Sequence, residues 1–357
     1  MGSGREMTGR RGQDDGSNLI GVDRRGRSLL PSHDSTMTDQ ATRRLGQTGT
    51  EITPIGLGSW QFSEAQGIHG FVWSRIEPDE MDGIVAAALE GGINWFDTAE
   101  AYGGGRSERA LARALGAAGK RNGDVVVATK WQPVLRTAAS IKRTIDQRLA
   151  NLSPFAIDLH QVHNPASFSS VEAEMNAMAD LVEAGKVRAV GVSNFSAARM
   201  RRAHAALAKR GLPLASNQVK YSLLDRRIER NGVLGAANEL GVTIIAYSPL
   251  EMGLLTGKFH HDAAALRSRP IGRRLSLRRK IERSRPLIAT LEEIAAGRAV
   301  TAAQVALSWL INANRDTVVA IPGASKPAQA RESAGAMGLA LTPDEMSRID
   351  ELTRGFR

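Results

Sequence analysis

The stretch "INWFDTAEAYGGGRSERALARALGAA", Ile93 to Ala118, contains one whole repeat of the fold. A short apolar run ends in Asp97, the chain turns through Tyr102 and the glycines at 103–105, and a helical pattern follows with Leu111 and Leu115 four apart. The same alternation recurs outward in both directions. Apolar runs stand at "IGLGSW" (55–60), "DVVVATKW" (124–131), "AIDLHQVH" (156–163), "VRAVGVSN" (187–194), "SNQVKYS" (216–222), "VTIIAYSP" (242–249) and "DTVVAIPG" (316–323). They are short and rich in Val and Ile, as buried parallel strands are. Amphipathic stretches such as "SIKRTIDQRLANL" and "VEAEMNAMADLVEAGK" separate them. Strand–helix alternation of this length predicts an α/β chain folded as a closed (β/α)8 TIM barrel. An open doubly wound sheet is the alternative, but "GLGSWQF" is a poor match to the glycine fingerprint it needs after its first strand. The glycines at 103–105 fit neither that fingerprint nor a phosphate-binding P-loop.

The flanks add to this frame. "RRLGQTGTEITPI" alternates around a Thr-Gly turn and predicts an N-terminal β-hairpin closing the barrel's bottom. Thr342-Pro343-Asp344-Glu345 is a capping box with Pro at the first helical position, so an extra C-terminal helix is expected. Residues 1–40 are rich in Gly, Arg, Asp and Ser without periodicity and read as a disordered extension, leaving 41–357 as the barrel.

Composition removes several chemistries. The 357 residues include no cysteine, which excludes disulfides, thiolate nucleophiles and Cys-based zinc sites. No His-Glu-x-x-His pattern is present, and no metal is expected. There is no apolar run long enough to span a bilayer and no apolar core of a signal peptide near the start, so a cytoplasmic protein is expected. The net charge of +10 is concentrated: Glu251–Arg285 carries ten Lys/Arg against three acidic residues. This reads as one basic loop after the seventh barrel strand, either solvated or drawing in an anionic ligand. Without a recognition motif or interleaved aromatics it does not point to nucleic acid.

In such barrels the active site lies at the carboxyl ends of the strands. The polar or aromatic residues there are Ser59 and Trp60, Asp97 and Tyr102, Lys130, His163, Ser193 and Asn194, Gln218 and Tyr221, Tyr247 and Ser248, and Gly323 to Lys326. His160 is read as pointing the same way as His163, so that either is the buried one. Asp97, Tyr102, Lys130 and His163 come from successive strands and would converge on one side of the mouth. Together they form a proton-donating device. A tyrosine titrates near pH ~10, and a nearby ammonium is expected to lower that value. A shift of about three units needs roughly 4 kcal/mol, within reach of a buried charge pair. Asp97 would hold Lys130 charged, and His163 would direct the substrate oxygen. No side chain supplies a nucleophile, and a hydride from a nicotinamide cofactor would fill that gap.

With "INWFDTAEAYGGGRSE", "ATKW", "DLHQVHNP", "GVSNFS", "NQVKYS", "AYSPLEMGLLTGKF" and "IPGASKPAQARESAGA" in this order, residues 42–355 resemble the aldo-keto reductase family, including its potassium-channel beta-subunit-like branch. The resemblance implies a catalytic tetrad of Asp97, Tyr102, Lys130 and His163, with Tyr102 as general acid. It implies NADPH, rather than NADH, lying across the barrel mouth. Ser193, Asn194 and Gln218 match positions that bond the nicotinamide amide, and Tyr247 the aromatic that stacks on its ring. Ser248, Leu250, Gly253 and Leu255 match the loop over the pyrophosphate. Gly323, Ser325, Lys326, Gln329, Glu332 and Ser333 match the segment at the 2′-phosphate and adenine. Gln329 and Ser333 depart from the Arg and Asn common there, and Glu251 and Met252 replace smaller residues. Trp60, Trp131 and residues near Phe168 are expected to line the substrate pocket. The implied activity is reduction of a small-molecule aldehyde or ketone, with a cofactor-binding accessory or redox-sensing subunit as the alternative. Nothing in the chain forces an oligomer, and a monomer is favoured.

Overall fold

The computed structural model describes Met1 and residues 42–63, 76–267 and 271–356. Apart from Met1, the extension expected over 1–40 lies outside the described residues. A short hairpin, β1 (Arg43–Arg44) and β2 (Glu51–Ile52), precedes eight parallel strands: β3 (Leu57–Gly58), β4 (Trp95–Asp97), β5 (Val126–Trp131), β6 (Ile157–Val162), β7 (Val187–Ser193), β8 (Leu214–Lys220), β9 (Thr243–Tyr247) and β10 (Val318–Ile321). They pair in sequence order from β3 to β10. Parallel bridges Ile55–Ala320 and Gly58–Gly323 join the two ends, so the sheet closes into the expected barrel.

Helices follow the strands as α1 (Pro78–Glu90), α2 (Arg106–Ala117), α3 (Ala139–Leu152), α4 (Val171–Glu183), α5 (Ala197–Ala208) and α6 (Val233–Leu240). After β9 come the short α7 (Lys258–His261) and α8 (Ala263–Arg267), then α9 (Ile271–Ala296) and α10 (Ala302–Ala313). Beyond β10 lie α11 (Pro327–Gly335) and the predicted extra helix α12 (Pro343–Thr353). At its start Thr342 Oγ1 accepts from Glu345 N at 3.2 Å while Glu345 Oε2 accepts from Thr342 N at 2.7 Å, a complete capping box.

Strand periodicity sorts side chains into two cores. One alternate set faces the helices. The other fills the barrel, where Trp95, Ala128, Leu159, Ala189, Ile245 and Val319 form an apolar interior cluster. Leu45 and Ile52 of the hairpin join that cluster and floor the barrel. Gly46 N donates to Thr243 Oγ1 at 2.7 Å, and the Arg43 guanidinium donates to the carbonyls of Ile311 and Val318, which fixes the hairpin against α10 and β10. One step up the strands the inward positions become polar: Asp97, Lys130, Gln161 and Gln218. Apolar packing thus supports a polar layer at the end where the loops emerge.

Two expectations change here. The basic segment is not a loop: its second half is α9, a helix of 26 residues. Arg and Lys are good helix formers, and the buried Leu277, Ile281, Ile288, Leu291 and Ile294 supply a core-facing stripe between the basic residues. His160 and His163, three apart, do not point the same way. His160 lies on the helix-facing side of β6 and is buried, while His163 follows the strand at the mouth.

Candidate active site

The polar layer is organised around one carboxylate. Asp97 ends β4, and its Oδ1 accepts a short hydrogen bond from Lys130 Nζ of β5. The lysine is fully buried, not a solvated strand end. Its other contacts are Thr98 O at 2.9 Å and Tyr102 Oη at 3.4 Å, so the three ammonium donors have three acceptors. Asp97 Oδ2 accepts from Gln218 Nε2 at 2.9 Å and from Gln161 Nε2 at 3.1 Å. The His163 ring meets the Tyr102 ring edge-on, with centroids 5.5 Å apart at 80°. The structure therefore brings the four predicted residues into one cluster.

Burial decides the protonation behaviour. It raises the Tyr102 phenol above its ordinary value; Lys130 pulls the other way without cancelling this, and Asp97 adds to the rise. The expected lowering by the lysine is thus reversed, because removing the phenolate from water outweighs the neighbouring ammonium. For Lys130, burial acts downward, but Asp97 and Tyr102 hold the ammonium above the usual lysine range. Burial, with Lys130 assisting, lowers His163 to about 3, so its imidazole is neutral at physiological pH.

The loop from Thr98 to Gly105 places the phenol. Glu100 N donates to Lys130 O at 3.1 Å, Tyr102 N to Ala99 O at 3.0 Å and Gly105 N to Glu100 O at 3.0 Å. Beneath it, Glu100 takes Gln132 N, Arg136 and Arg148. The fully buried Glu108 accepts hydrogen bonds from Thr129 Oγ1 at 2.7 Å and Asn151 Nδ2 at 2.8 Å and forms an ion pair with Arg148, whose Nε lies 3.0 Å away. Gly105 has φ +88°, and a Cβ there would lie 2.3 Å from Asn151 Nδ2. The glycines form a tight turn into α2, not a phosphate cradle.

Across the mouth, Ser193 Oγ donates to Gln218 O at 2.8 Å, Asn194 Nδ2 to Ser193 Oγ at 3.1 Å and Tyr247 Oη to Asn194 Oδ1 at 3.1 Å. Asn194 and Ser248, at the ends of β7 and β9, both have left-handed backbone, with φ of 59° and 52°. Glu251 and Met252 continue this at φ 47° and 54°, followed by Gly253. Such backbone is costly for non-glycine residues and concentrates at functional sites. The Glu251 carboxylate is buried and held by Lys220 at 2.6 Å and Lys280 at 3.1 Å. Leu255 is buried, while Leu250 is partly exposed and packs against the core with the rest of its side chain. After β10, Gly323 faces the Gln61 amide, which a Cβ would meet at 2.2 Å. Lys326 is exposed at the N-cap of α11, and Gln329 Oε1 accepts from Ser325 N at 2.8 Å and Ser325 Oγ at 3.1 Å. Glu332 is half-buried, and Ser333 is buried with Ala330 and Ala334 on the inner side of α11.

Of the two tryptophans expected at the substrate, Trp60 is half-exposed, its ring 6.3 Å from that of Tyr102. Trp131 is 1% exposed in the helix-side core, its indole donating to Ser140 Oγ at 3.0 Å. Strand alternation puts Lys130 inward and so turns Trp131 away from the mouth. Tyr221 is likewise a core side chain, bonded to Glu229 and packed near Trp309. Phe168 stands 71% exposed. Sequence reasoning missed Gln161; its signal was the inward alternation Leu159, Gln161, His163. Among the described residues no cluster of His, Asp or Glu could hold a metal, and no helix is long and apolar enough to cross a membrane.

Comparison with known proteins bears on the family and the fold. A family model described as the aldo/keto reductase family matches residues 54–354. An uncharacterized oxidoreductase of Mycobacterium tuberculosis is 39% identical over 311 residues, covering 86% of this chain and 91% of that one. The chloroplastic pyridoxal reductase of Arabidopsis thaliana is 35% identical over 312 residues, covering 84% and 82%. The crystal structure of a thermostable aldo-keto reductase with the inhibitor epalrestat matches with a TM-score of 0.69 at 32% identity, covering 87% of this chain and 99% of that one.

Proposed function

The chain belongs to the aldo/keto reductase family and is an oxidoreductase, and from that premise we propose that it reduces an aldehyde or ketone to an alcohol with NADPH, Tyr102 acting as the proton donor. The single observation that carries this is the arrangement of Lys130: a buried ammonium with one donor on Asp97, one on a backbone carbonyl and one on the Tyr102 oxygen.

Bound NADPH supplies the hydride equivalent that no side chain here can supply. The protein's own residues do the rest. Tyr102 Oη accepts from Lys130, which leaves the phenol's proton for a substrate oxygen, and the ammonium stabilises negative charge developing on the phenol as that proton leaves. Asp97 keeps the lysine charged and aimed. Neutral His163, edge-on to the tyrosine, offers a hydrogen bond to the same substrate oxygen and fixes its direction. Trp60 gives the carbonyl compound an apolar wall beside the phenol.

The mouth also suits the cofactor chemically. Ser193, Asn194 and Gln218 form a hydrogen-bonding group fit for a carboxamide, and Tyr247 adds an aromatic ring. The left-handed segment around Ser248, Leu250, Gly253 and Leu255 offers backbone groups to a pyrophosphate. Gly323, Ser325, Gln329 and Glu332 would contact the adenosine end, Ser333 supporting them from beneath. Lys326 at a helix N-terminus offers a cation to a 2′-phosphate, which favours NADPH over NADH.

The test is NADPH oxidation with a panel of aldehydes and ketones, run beside Tyr102→Phe. Turnover by the parent that falls at least about 100-fold in the variant, with NADPH binding retained, supports the reading. Binding without turnover in either protein would assign an accessory, cofactor-sensing role instead. Equal turnover in both would remove Tyr102 as the donor.

A further inference from the structure

Gln161 has no part in the scheme above, yet it touches its central group. It faces into the barrel from β6, paired in register with Lys130 on one side and Gly191 on the other, and it is fully buried. Its Nε2 donates to Asp97 Oδ2 at 3.1 Å. Its Oε1 accepts from Gln218 Nε2 at 3.4 Å, and that same nitrogen donates to Asp97 Oδ2 at 2.9 Å. The orientation is dictated by chemistry: flipped, Gln161 would set its oxygen against a carboxylate oxygen and its NH2 against the NH2 of Gln218.

The barrel also makes room for this side chain. A Cβ on Gly191 would lie 3.0 Å from Gln161 Cγ and 2.4 Å from Ser216 Oγ. The layer beneath is apolar, and a primary amide in its place is costly unless fully paired. Packing alone would be served as well by leucine.

We propose that Gln161 is a positioning residue that locks the Asp97 carboxylate and the Gln218 amide to one another, and so holds the proton donor in register with the side chain that reads the nicotinamide amide. This rests on the roles given above to Tyr102 and Gln218. With Oδ2 occupied by two amides, Asp97 presents only Oδ1 to Lys130, and the lysine's remaining donors fall on Thr98 O and Tyr102 Oη. Without Gln161 the carboxylate is free to turn, Lys130 follows it away from the phenol, and the Gln218 amide loses one of its two acceptors.

The experiment uses the full chain as Gln161→Leu and Gln161→Glu beside the parent and Tyr102→Phe. It reads kcat against pH, the Kd for NADPH from tryptophan fluorescence, and thermal unfolding. The charged or titratable groups facing position 161 are Asp97 from β4 and Lys130 from β5, with His163 beyond the end of β6 and Tyr102 reached through Lys130; Gly191 and Gln218, from β7 and β8, are uncharged. In Gln161→Leu, kcat falls about tenfold at every pH and NADPH binds more weakly. In Gln161→Glu the introduced carboxyl group shares a proton with Asp97 at low pH and donates as the amide did. Activity then stays near the parent's in acid and declines as that proton leaves, a limb absent from the parent.

Parent-like kcat and Kd in Gln161→Leu, with or without a lower unfolding temperature, would overturn the proposal and leave Gln161 a packing residue. If Gln161→Leu does not fold, a Gln161→Glu profile parallel to the parent's overturns it. Retained turnover in Tyr102→Phe overturns the proton-donor reading instead; the NADPH Kd of Gln161→Leu then decides the Gln218 half by itself, weakened binding supporting it and unchanged binding removing it.

Discussion

Lys130 Nζ stands 3.4 Å from Tyr102 Oη and 4.9 Å from the centroid of the same ring, so one ammonium lies against both the oxygen and the face of the phenol. In the proposed proton transfer, a charge in that position would stabilise the phenolate as it forms. Lys130→Met should therefore lower kcat by about 100-fold or more with little change in NADPH affinity. The same change strands the buried Asp97 carboxylate, at a cost of about 3–5 kcal/mol in unfolding free energy. Adding Asp97→Asn to it should recover stability without recovering turnover. Stopped assays and urea unfolding of the single and double variants separate the two effects.

Burial keeps the phenol protonated well past neutrality. The carbonyl-reducing kcat should then lack a basic limb until above pH ~10, where an unperturbed tyrosine would begin to titrate. A pH profile at saturating NADPH tests this, and a limb near neutral pH would contradict it.

His160 affects stability and not chemistry. Burial, with Arg148 contributing, lowers it to about 4. The unfolded chain binds a proton at that histidine below pH ~6.5 while the folded one does not, so stability is lost as pH falls from there toward the folded value. For His160→Gln, whatever its cost at neutral pH, the penalty relative to the parent should shrink by about 2 kcal/mol at pH ~5. Unfolding curves at the two pH values decide it.

Gly104 and Gly105 separate backbone strain from collision. Both have positive φ, but a Cβ on Gly104 meets nothing within 4 Å, whereas on Gly105 it would overlap the Asn151 amide. Gly104→Ala should cost about 1–2 kcal/mol, the left-handed penalty. Gly105→Ala should cost more and also lower kcat, because Asn151 must move off Glu108 and the Tyr102 loop moves with it. Equal costs in thermal unfolding would rule out the collision.

Glu251→Gln keeps the shape of a buried side chain while removing the charge between Lys220 and Lys280, which are 30% and 44% exposed in their side chains. Because both lysines reach water, the expected loss is about 1–3 kcal/mol. If the Glu251 ion pairs anchor this segment, limited proteolysis should show faster cleavage near Met252, which follows Glu251 in left-handed backbone.

The barrel was legible because its strands are apolar on both faces and its helices on one, a contrast visible without any contact. The clustering of Asp97, Tyr102, Lys130 and His163 was legible because three of them stand at the ends of those runs and Tyr102 in the turn that follows one. What stayed hidden was the facing of residues inside a run. Trp131 follows Lys130 directly, so only one can look into the mouth, yet both are residues an active site uses. Gln161 lay within an apolar stretch whose phase becomes informative once Lys130 is known to point inward. The α9 helix was concealed by its charge: seven net positive charges in Glu251–Arg285 read as solvated chain until the interleaved Leu277 and Ile281 are seen packing on Leu254 and Phe259.

The hairpin floor has a kinetic consequence. Leu45 and Ile52 pack into the apolar interior cluster with Trp95 and Leu159, so among the described residues the hairpin end of the barrel is filled and the polar layer lies toward the opposite end. In the proposed reaction, cofactor and carbonyl compound would both have to enter from that opposite end. The deeper of the two would then arrive first and depart last, so the proposed reaction is expected to show a compulsory order of addition and release.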